Sequence, residues 1–309
     1  MSLTIVQGWK DLDAALKGAS IAFGNFDGVH RGHQALIGRA LSRARELGLP
    51  LVLVTFDPHP SEVVRPGSHP PVLTPVRRKA ELVEELGVDA FCVLPFTTEF
   101  SRLPADEFVH VLLVERLHAA AVVVGDNFRF GHKAAGDLEL LRTLGSRFGF
   151  STEGVGMLRD DDVTLSSTFV RSSIDAGDVG QAAKALGRPH RIDGIVVRGE
   201  GRGRQLGFPT ANVRTDRHVA IPADGIYAGW AVLHRKRLPA AISVGTNPTF
   251  EGKQRTVEAY TLDFDEDIYG VELGVEFVER LRGMVKFDSV EALVEQMGRD
   301  VEQARDLLR

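Results

Sequence analysis

A chain of 309 residues, 43% hydrophobic and 26% charged, has room for two ordinary globular domains with cores of their own. Its 37 basic and 42 acidic residues leave a net charge of −5, so no bulk field favours nucleic acid or an anionic membrane. The one cysteine, Cys92, excludes an internal disulfide framework and a cysteine-rich zinc site; in the apolar run AFCVLPF it reads as a buried structural thiol. The opening residues MSLTIVQGWKDLD show no leader pattern, and no run of about 18 apolar residues occurs, so the expectation is a cytoplasmic protein without a membrane span.

In chain order, ASIAFG (19–24) is short, apolar and closed by glycine, as a buried strand is. Beyond it Ala35, Leu36, Ala40, Leu41, Ala44 and Leu47 recur at three- and four-residue steps. That spacing predicts an amphipathic helix ending at Gly48. Strands are expected at 49–56, 89–94, 119–125 and 150–156, and helices at 75–87, 104–118 and 136–149. Strand–helix alternation of this kind implies a parallel sheet with right-handed crossovers, and ligands bind outside the carboxyl ends of such strands. Two shorter helices, STFVRSSIDAG and VGQAAKALG, end at Gly187.

From there the pattern changes to strands and turns: RIDGIVVRG, GIYAGWAVLH, LPAAISVG, RTVEAYTLDF and VELGVEFVERL, with one final helix over 289–308. The expected architecture is α/β followed by all-β. A Rossmann-like domain with a parallel sheet occupies 1–186, and a small β-barrel with a terminal helix occupies 187–309.

The first strand runs straight into GNFDGVHRGHQALI (24–37). His30 and His33 are three residues apart at the mouth of a helix, so both rings can address one ligand. A metal needs at least one more ligand, for which Asp27 is the candidate. A phosphate uses more of the stretch: Gly28 and Gly32 allow close backbone approach, the helix N-terminus offers N–H groups, and imidazoles add donors. A purely structural pair is the third possibility. The stretches TFDPHP (55–60) and GDNFRFG (125–131) follow the next strands in the same way. Ser167 and Thr168 begin a helix, and Arg171 lies on the face of Thr168, a combination able to hold an anion.

These four stretches, GNFDGVHRGH, TFDPHP, GDNFRFG and LSSTFVR, resemble in sequence and order the adenylyltransferase module of bacterial bifunctional riboflavin kinase/FMN adenylyltransferases, a nucleotidyltransferase family also called FAD synthetases. The resemblance implies that Gly24, Asn25, Asp27, Gly28, Gly32, Ser167 and Thr168 bind ATP, and that His30, His33 and Arg171 are catalytic. It puts Asp57, His59 and Asn127 near the flavin. The implied reaction is attack of the FMN phosphate on the α-phosphorus of ATP, giving FAD and pyrophosphate. The nucleophile is already an anion, so positioning and charge neutralisation suffice without a general base.

The second glycine-rich stretch, GEGRGRQLGFPTAN (199–212), is not a dinucleotide fingerprint: its spacing is wrong and Phe-Pro-Thr follows instead of a long helix. The PTAN string resembles the riboflavin kinase module of the same family, as do VGTNPTF (244–250) and Asp224-Gly225. The resemblance implies that Gly201, Gly203 and Gly207 cover ATP, that Thr210 and Asn212 hold Mg²⁺, and that Glu258 is the catalytic base. A base is useful here because the nucleophile is a ribityl hydroxyl. Many family members carry His where this chain has Tyr260.

The resemblance covers about residues 5–305. It implies a bifunctional enzyme making FMN from riboflavin and FAD from FMN, with ATP as co-substrate, Mg²⁺ as cofactor, no nucleic-acid or membrane partner, and at most a weak homo-oligomer. Two alternatives stay open: a nucleotidyltransferase with another phosphorylated acceptor, and a flavin-binding regulatory protein.

Overall fold

The computed structural model describes residues 3–8, 16–67, 69–161, 163–199, 201–215, 218–249 and 252–309. It divides into two compact units: Met1–Pro70 with Thr74–Ser166, and Pro71–Leu73 with Ser167–Arg309.

The first unit is a six-stranded sheet whose paired strands all run parallel. Its strands are β1 (Thr4–Gln7), β2 (Ser20–Phe23), β3 (Leu51–Asp57), β4 (Ala90–Pro95), β5 (Ala121–Gly125) and β6 (Ser151–Val155), in the order β1-β4-β3-β2-β5-β6. Helices α1 (Arg31–Leu47), α2 (Pro60–Val64), α3 (Val76–Glu85), α4 (Ala105–Phe108) and α5 (Leu138–Phe148) connect them. Alternate residues of β2, β3, β4 and β5 enter opposite cores. Ile21, Phe23, Val52, Val54 and Cys92 pack on one face, and Ala22, Leu51, Leu53, Phe91 and Val93 on the other. Both faces are therefore apolar, which is why the strands read as uninterrupted hydrophobic runs.

The strands expected between 19 and 156 all form, as do the helices expected after Gly32, at 75–87 and at 136–149. The sequence reading missed β1, where only Val6 is buried among four residues and no apolar run marks the strand. It also expected one helix over 104–118, whereas α4 makes a single turn and the chain continues as a wider π-type helix over Val109–Arg116.

The order of strands fixes where a ligand goes. After β2 the chain moves outward through β3 to β4; it later returns to the other side of β2 as β5. The crevice at that reversal lies outside the carboxyl end of β2, from which GNFDGVHRGH emerges. A two-residue hairpin, β7 (Arg159–Asp160) with β8 (Val163–Thr164), follows the sheet.

The second unit begins with α6 (Ser167–Asp175) and α7 (Val179–Leu186). A closed antiparallel barrel follows: β9 (His190–Val197), β10 (Ala211–Thr215), β11 (Gly225–Leu233), β12 (Lys236–Thr249), β13 (Gly252–Thr261) and β14 (Glu272–Arg282), arranged β10-β13-β12-β11-β14-β9. Ile192, Val196, Val213, Tyr227, Ile242, Val257 and Phe277 fill it, and Val179 of α7 joins the same core. Helix α9 (Val290–Leu307) packs on β11, β12 and β14. Strand β10, which the PTAN string opens, and the one-turn α8 (Arg202–Gln205) inside the glycine stretch were not expected. Four glycines in fourteen residues mask both elements in the sequence.

Candidate active sites

In the first unit, the stretch after β2 is a tight turn feeding α1. Gly24 donates its N–H to the Val54 carbonyl (3.2 Å), which ties the turn to β3. Gly28 has φ +88°, a value glycine adopts without strain. Phe26 and Val29 also have positive φ, 47° and 39°, and neither is glycine. Bulky side chains in that region mark strain, on the order of 1–3 kcal/mol each, which persists only where the surroundings enforce it. Three contacts do so. The Asn25 carbonyl accepts from Thr55 Oγ1 (3.1 Å) and from Lys79 Nζ (2.6 Å), and the buried carboxylate of Asp27 accepts from the Thr74 N–H (3.0 Å). Asp27 thus braces the turn.

His30 is 6% exposed and is the N-cap of α1; its Nδ1 accepts a long hydrogen bond from the His33 N–H (3.4 Å). That acceptor role puts its ring proton on Nε2, as a donor. The His30 and His33 rings stack 3.6 Å apart, and Phe26 meets His33 edge-on at 5.3 Å. Burial, then the neighbouring His30, then the charge of Lys79 hold the His33 pKa well below the usual histidine range. His33 is therefore a neutral imidazole at physiological pH. Its buried Nδ1 has no hydrogen-bond partner among the described residues. The two rings face each other instead of converging with Asp27. Among the described residues no three His, Cys, Asp or Glu side chains gather as a metal would require. Gly32 lies between the histidines in the first turn of α1.

The other sequence candidates of this unit stand at strand ends. Asp57 closes β3 and is exposed. His59 caps α2, with Nδ1 2.6 Å from Ser61 Oγ. Asn127 follows β5 and donates to Met157 Sδ (3.5 Å). Around them runs a chain of touching phenylalanine rings, in which Phe56, Phe96 and Phe128 are half-buried and Phe23, Phe100, Phe108 and Phe130 buried. The reading of sequence missed Lys79 and Thr55. Lys79 carried a signal: it occupies a position of α3's apolar face, beside Ala80, Leu82 and Val83.

In the second unit, Ser167 and Thr168 are the first residues of α6, the serine half-buried and the threonine exposed, and Arg171 Nε donates to the Pro71 carbonyl (2.8 Å). The barrel carries a separate site on its outer wall. Strands β10 and β13 pair so that Asn212 lies opposite Glu258. Their neighbours Val213, Val257 and Ala259 point inward, so both polar side chains share the outer face. Thr210 Oγ1 donates to Glu258 Oε2 (2.9 Å). These three residues, with Gly201, Gly203 and Arg204, line a cavity of about 840 Å³ whose far wall is the segment Phe264, Asp265, Glu266, Asp267, Ile268 and Tyr269. That far wall was not legible as part of a site. Gly203 has to be glycine: a Cβ there would lie 2.5 Å from the Phe208 carbonyl oxygen and 3.2 Å from Thr210 Oγ1. Gly207 follows α8 with φ +87° and is not among the cavity's lining residues. Tyr260 packs edge-on against Phe208 at 5.4 Å. Thr246 donates to Asp224 through both its N–H (3.1 Å) and its hydroxyl (2.8 Å), joining two stretches singled out in the sequence. Glu200 of the glycine stretch and Phe250 of VGTNPTF lie outside the described residues.

Comparison with known proteins gives two family matches: the FAD synthetase model over residues 12–169 and the riboflavin kinase model over residues 186–308. The bifunctional riboflavin kinase/FMN adenylyltransferase of Pseudomonas fluorescens is 38% identical over 306 residues, covering 99% of this chain and 98% of its own. Its counterpart in Escherichia coli (strain K12) is 36% identical over 306 residues, covering 98% and 97%. A crystal structure of a macrolide-efflux protein from Streptococcus pneumoniae shares the fold across 99% of both chains, with a TM-score of 0.88 at 33% identity. That name speaks of efflux, whereas both family models and the curated relatives speak of flavin chemistry.

Proposed function

Since the chain belongs to the family of bifunctional riboflavin kinase/FMN adenylyltransferases, we propose a division of its residues between two chemical steps. The enzyme phosphorylates riboflavin to FMN with ATP in its C-terminal riboflavin kinase domain. It adenylylates FMN to FAD in its N-terminal FAD synthetase domain. We take the first domain to run to 186, so that α6 and α7, which span most of the interval between the two family matches, belong to it.

The observation that carries the kinase assignment is the Thr210–Glu258–Asn212 cluster on the wall of its cavity. Glu258 takes the proton of the ribityl hydroxyl as that oxygen attacks the γ-phosphorus of ATP; the bond to the β-phosphate oxygen breaks and ADP leaves. The Thr210 hydroxyl gives its hydrogen to Glu258, which leaves its lone pairs free for a cation. With the Asn212 amide oxygen it forms a hard-oxygen donor pair that fits Mg²⁺ completed by phosphate oxygens. Bound there, Mg²⁺ neutralises phosphate charge. Gly201 and Gly203 leave room for the polyphosphate, and Gly207 sets the turn that brings the chain back to β10.

In the adenylyltransferase step an FMN phosphate oxygen attacks the α-phosphorus of ATP and pyrophosphate leaves. His30 donates from Nε2 and His33 acts as a neutral imidazole, both toward the charge that develops on the leaving group. Gly24, Asn25, Asp27, Gly28 and Gly32 shape the turn that accepts the nucleotide. Ser167, Thr168 and Arg171 supply donors to phosphate. Asp57, His59 and Asn127 are the polar contacts of the flavin, with the half-buried rings of Phe56, Phe96 and Phe128 as its apolar surface. The reactions run in the cytoplasm, where ATP is plentiful.

The experiment that tests the assignment is a pair of variants assayed for both products. His30→Ala is expected to lose FAD formation and keep FMN formation. Glu258→Ala is expected to lose FMN formation and still convert supplied FMN to FAD. Loss of both activities in either variant contradicts the division.

A further inference from the structure

The turn after β2 is held from beneath by a lysine that belongs to none of the recognised motifs. Lys79 sits on α3 and is 5% exposed, which is unusual for a side chain that is costly to bury with its charge. Its ammonium donates to the Asn25 carbonyl at 2.6 Å, and Thr55 donates to the same oxygen at 3.1 Å. Two strained residues lie within the next four positions, Phe26 and Val29, with φ of 47° and 39°. Two carboxylates act on the ammonium: Asp27, buried in the turn itself, and Asp57 at the end of β3. Its charge is felt in turn by His33 on α1. Lys79 thus links α3, the end of β3, the strained turn and the histidine pair.

We propose that Lys79 is a positioning residue of the adenylyltransferase site, fixing the strained turn through the Asn25 carbonyl and supplying a positive charge beneath the nucleotide's phosphates. This rests on the reading of GNFDGVHRGH as the nucleotide site. The physical case is twofold. A polyanion is to be accepted beside Asp27 and Asp57, and the buried ammonium offsets that negative charge. A carbonyl gripped by two donors cannot swing, so the peptide between Asn25 and Phe26 keeps one orientation while the nucleotide arrives. Small misplacements of such a turn are costly in rate, on the order of 10²-fold for about 1 Å.

The test is Lys79→Met, which keeps most of the stem and removes the charge, assayed for both activities in one preparation. Expected is a fall of about 10²-fold in kcat/KM for ATP in FAD formation, with a raised KM, while riboflavin phosphorylation is unchanged. The acid limb of the FAD-formation pH profile should also move to higher pH. His33 is faced by His30 and Lys79, and losing the lysine's charge raises its pKa. A lysine that only stabilised the fold would lower the amount of active enzyme and leave the KM and the pH limb in place. That result overturns the proposal, as does wild-type FAD formation. If Lys79→Met does not fold, Thr55→Val removes the other donor to the same carbonyl. It should raise KM for ATP several-fold without moving the pH limb; an unchanged KM overturns the proposal. His33→Ala is run beside them. Intact FAD formation in His33→Ala defeats the reading of the stretch as the nucleotide site. Its loss there, with normal kinetics in Lys79→Met, defeats the lysine proposal alone.

Discussion

Glu258 is the residue whose chemistry can be isolated most cleanly. Gln at 258 keeps the shape and an oxygen for the Thr210 hydroxyl at 2.9 Å, and loses only the capacity to take a proton. Riboflavin phosphorylation by Glu258→Gln is therefore expected to fall by about 10²–10⁴ in kcat with KM for ATP little changed, as read from initial rates. Cys92 gives a second check. Burial pushes its thiol up to about 12, so it should resist thiol reagents in the native protein and react fully once unfolded. The same shift has a sign for stability. The unfolded thiol ionises near its ordinary value of 9.0 while the folded one stays protonated, so this group's contribution is full below that pH and is lost as pH rises toward 12. At this scale the sequence was informative where chemistry needs unusual residues in unusual places. Histidines at a helix start, PTAN after glycines, and a Glu on an alternating strand could all be found without coordinates. The shared role of Lys79 and Thr55 could not, although Lys79 stood out on the apolar face of α3, because the oxygen they hold belongs to Asn25, 54 and 30 residues away. Proximity of that kind is created only by the crossovers of the sheet.

The terminal helix illustrates the scale of the element. Its fit to the barrel rests on a small apolar contact, Ala304 and Leu308 against Ala228, and on one buried ion pair. Arg282 of β14 donates to both oxygens of Asp300 (2.7 Å at the shortest), and Gln296 adds a further hydrogen bond (2.8 Å). Asp300 is 4% exposed. Asp300→Ala strands the guanidinium and should cost the second unit about 3 kcal/mol, read as a lower denaturant midpoint for loss of riboflavin kinase activity. The helix itself was plain in the sequence from its apolar spacing; the pair that pins it was not, since neither residue stands out from other surface charges. The same contrast holds elsewhere. Strands with two buried faces, such as β3 and β5, were legible as apolar runs, whereas β1 and β10 were hidden. Strand β1 has one inward residue, and β10 starts inside a stretch whose glycines read as loop. The π-type segment at Val109–Arg116 has the apolar spacing of an ordinary helix, and nothing in its composition distinguishes the two.

For the whole molecule, the two sites differ in kind because their nucleophiles differ. By the proposed assignment, the barrel offers a carboxylate to an alcohol; the sheet offers a histidine pair, of which His33 is neutral, and a braced turn to a phosphate that is already charged. No helix among the described residues is long and apolar enough to cross a membrane. The contact division between Ser166 and Ser167 leaves α6 and α7 with the barrel. Sequential chemistry on one chain leaves a signature that a time course reads. The protein is incubated with riboflavin, ATP and Mg²⁺, and the flavins are separated by chromatography. FMN is expected first and FAD after it, with FAD growing at the expense of FMN. FMN that accumulates without ever becoming FAD, or no conversion even of supplied FMN, would contradict it.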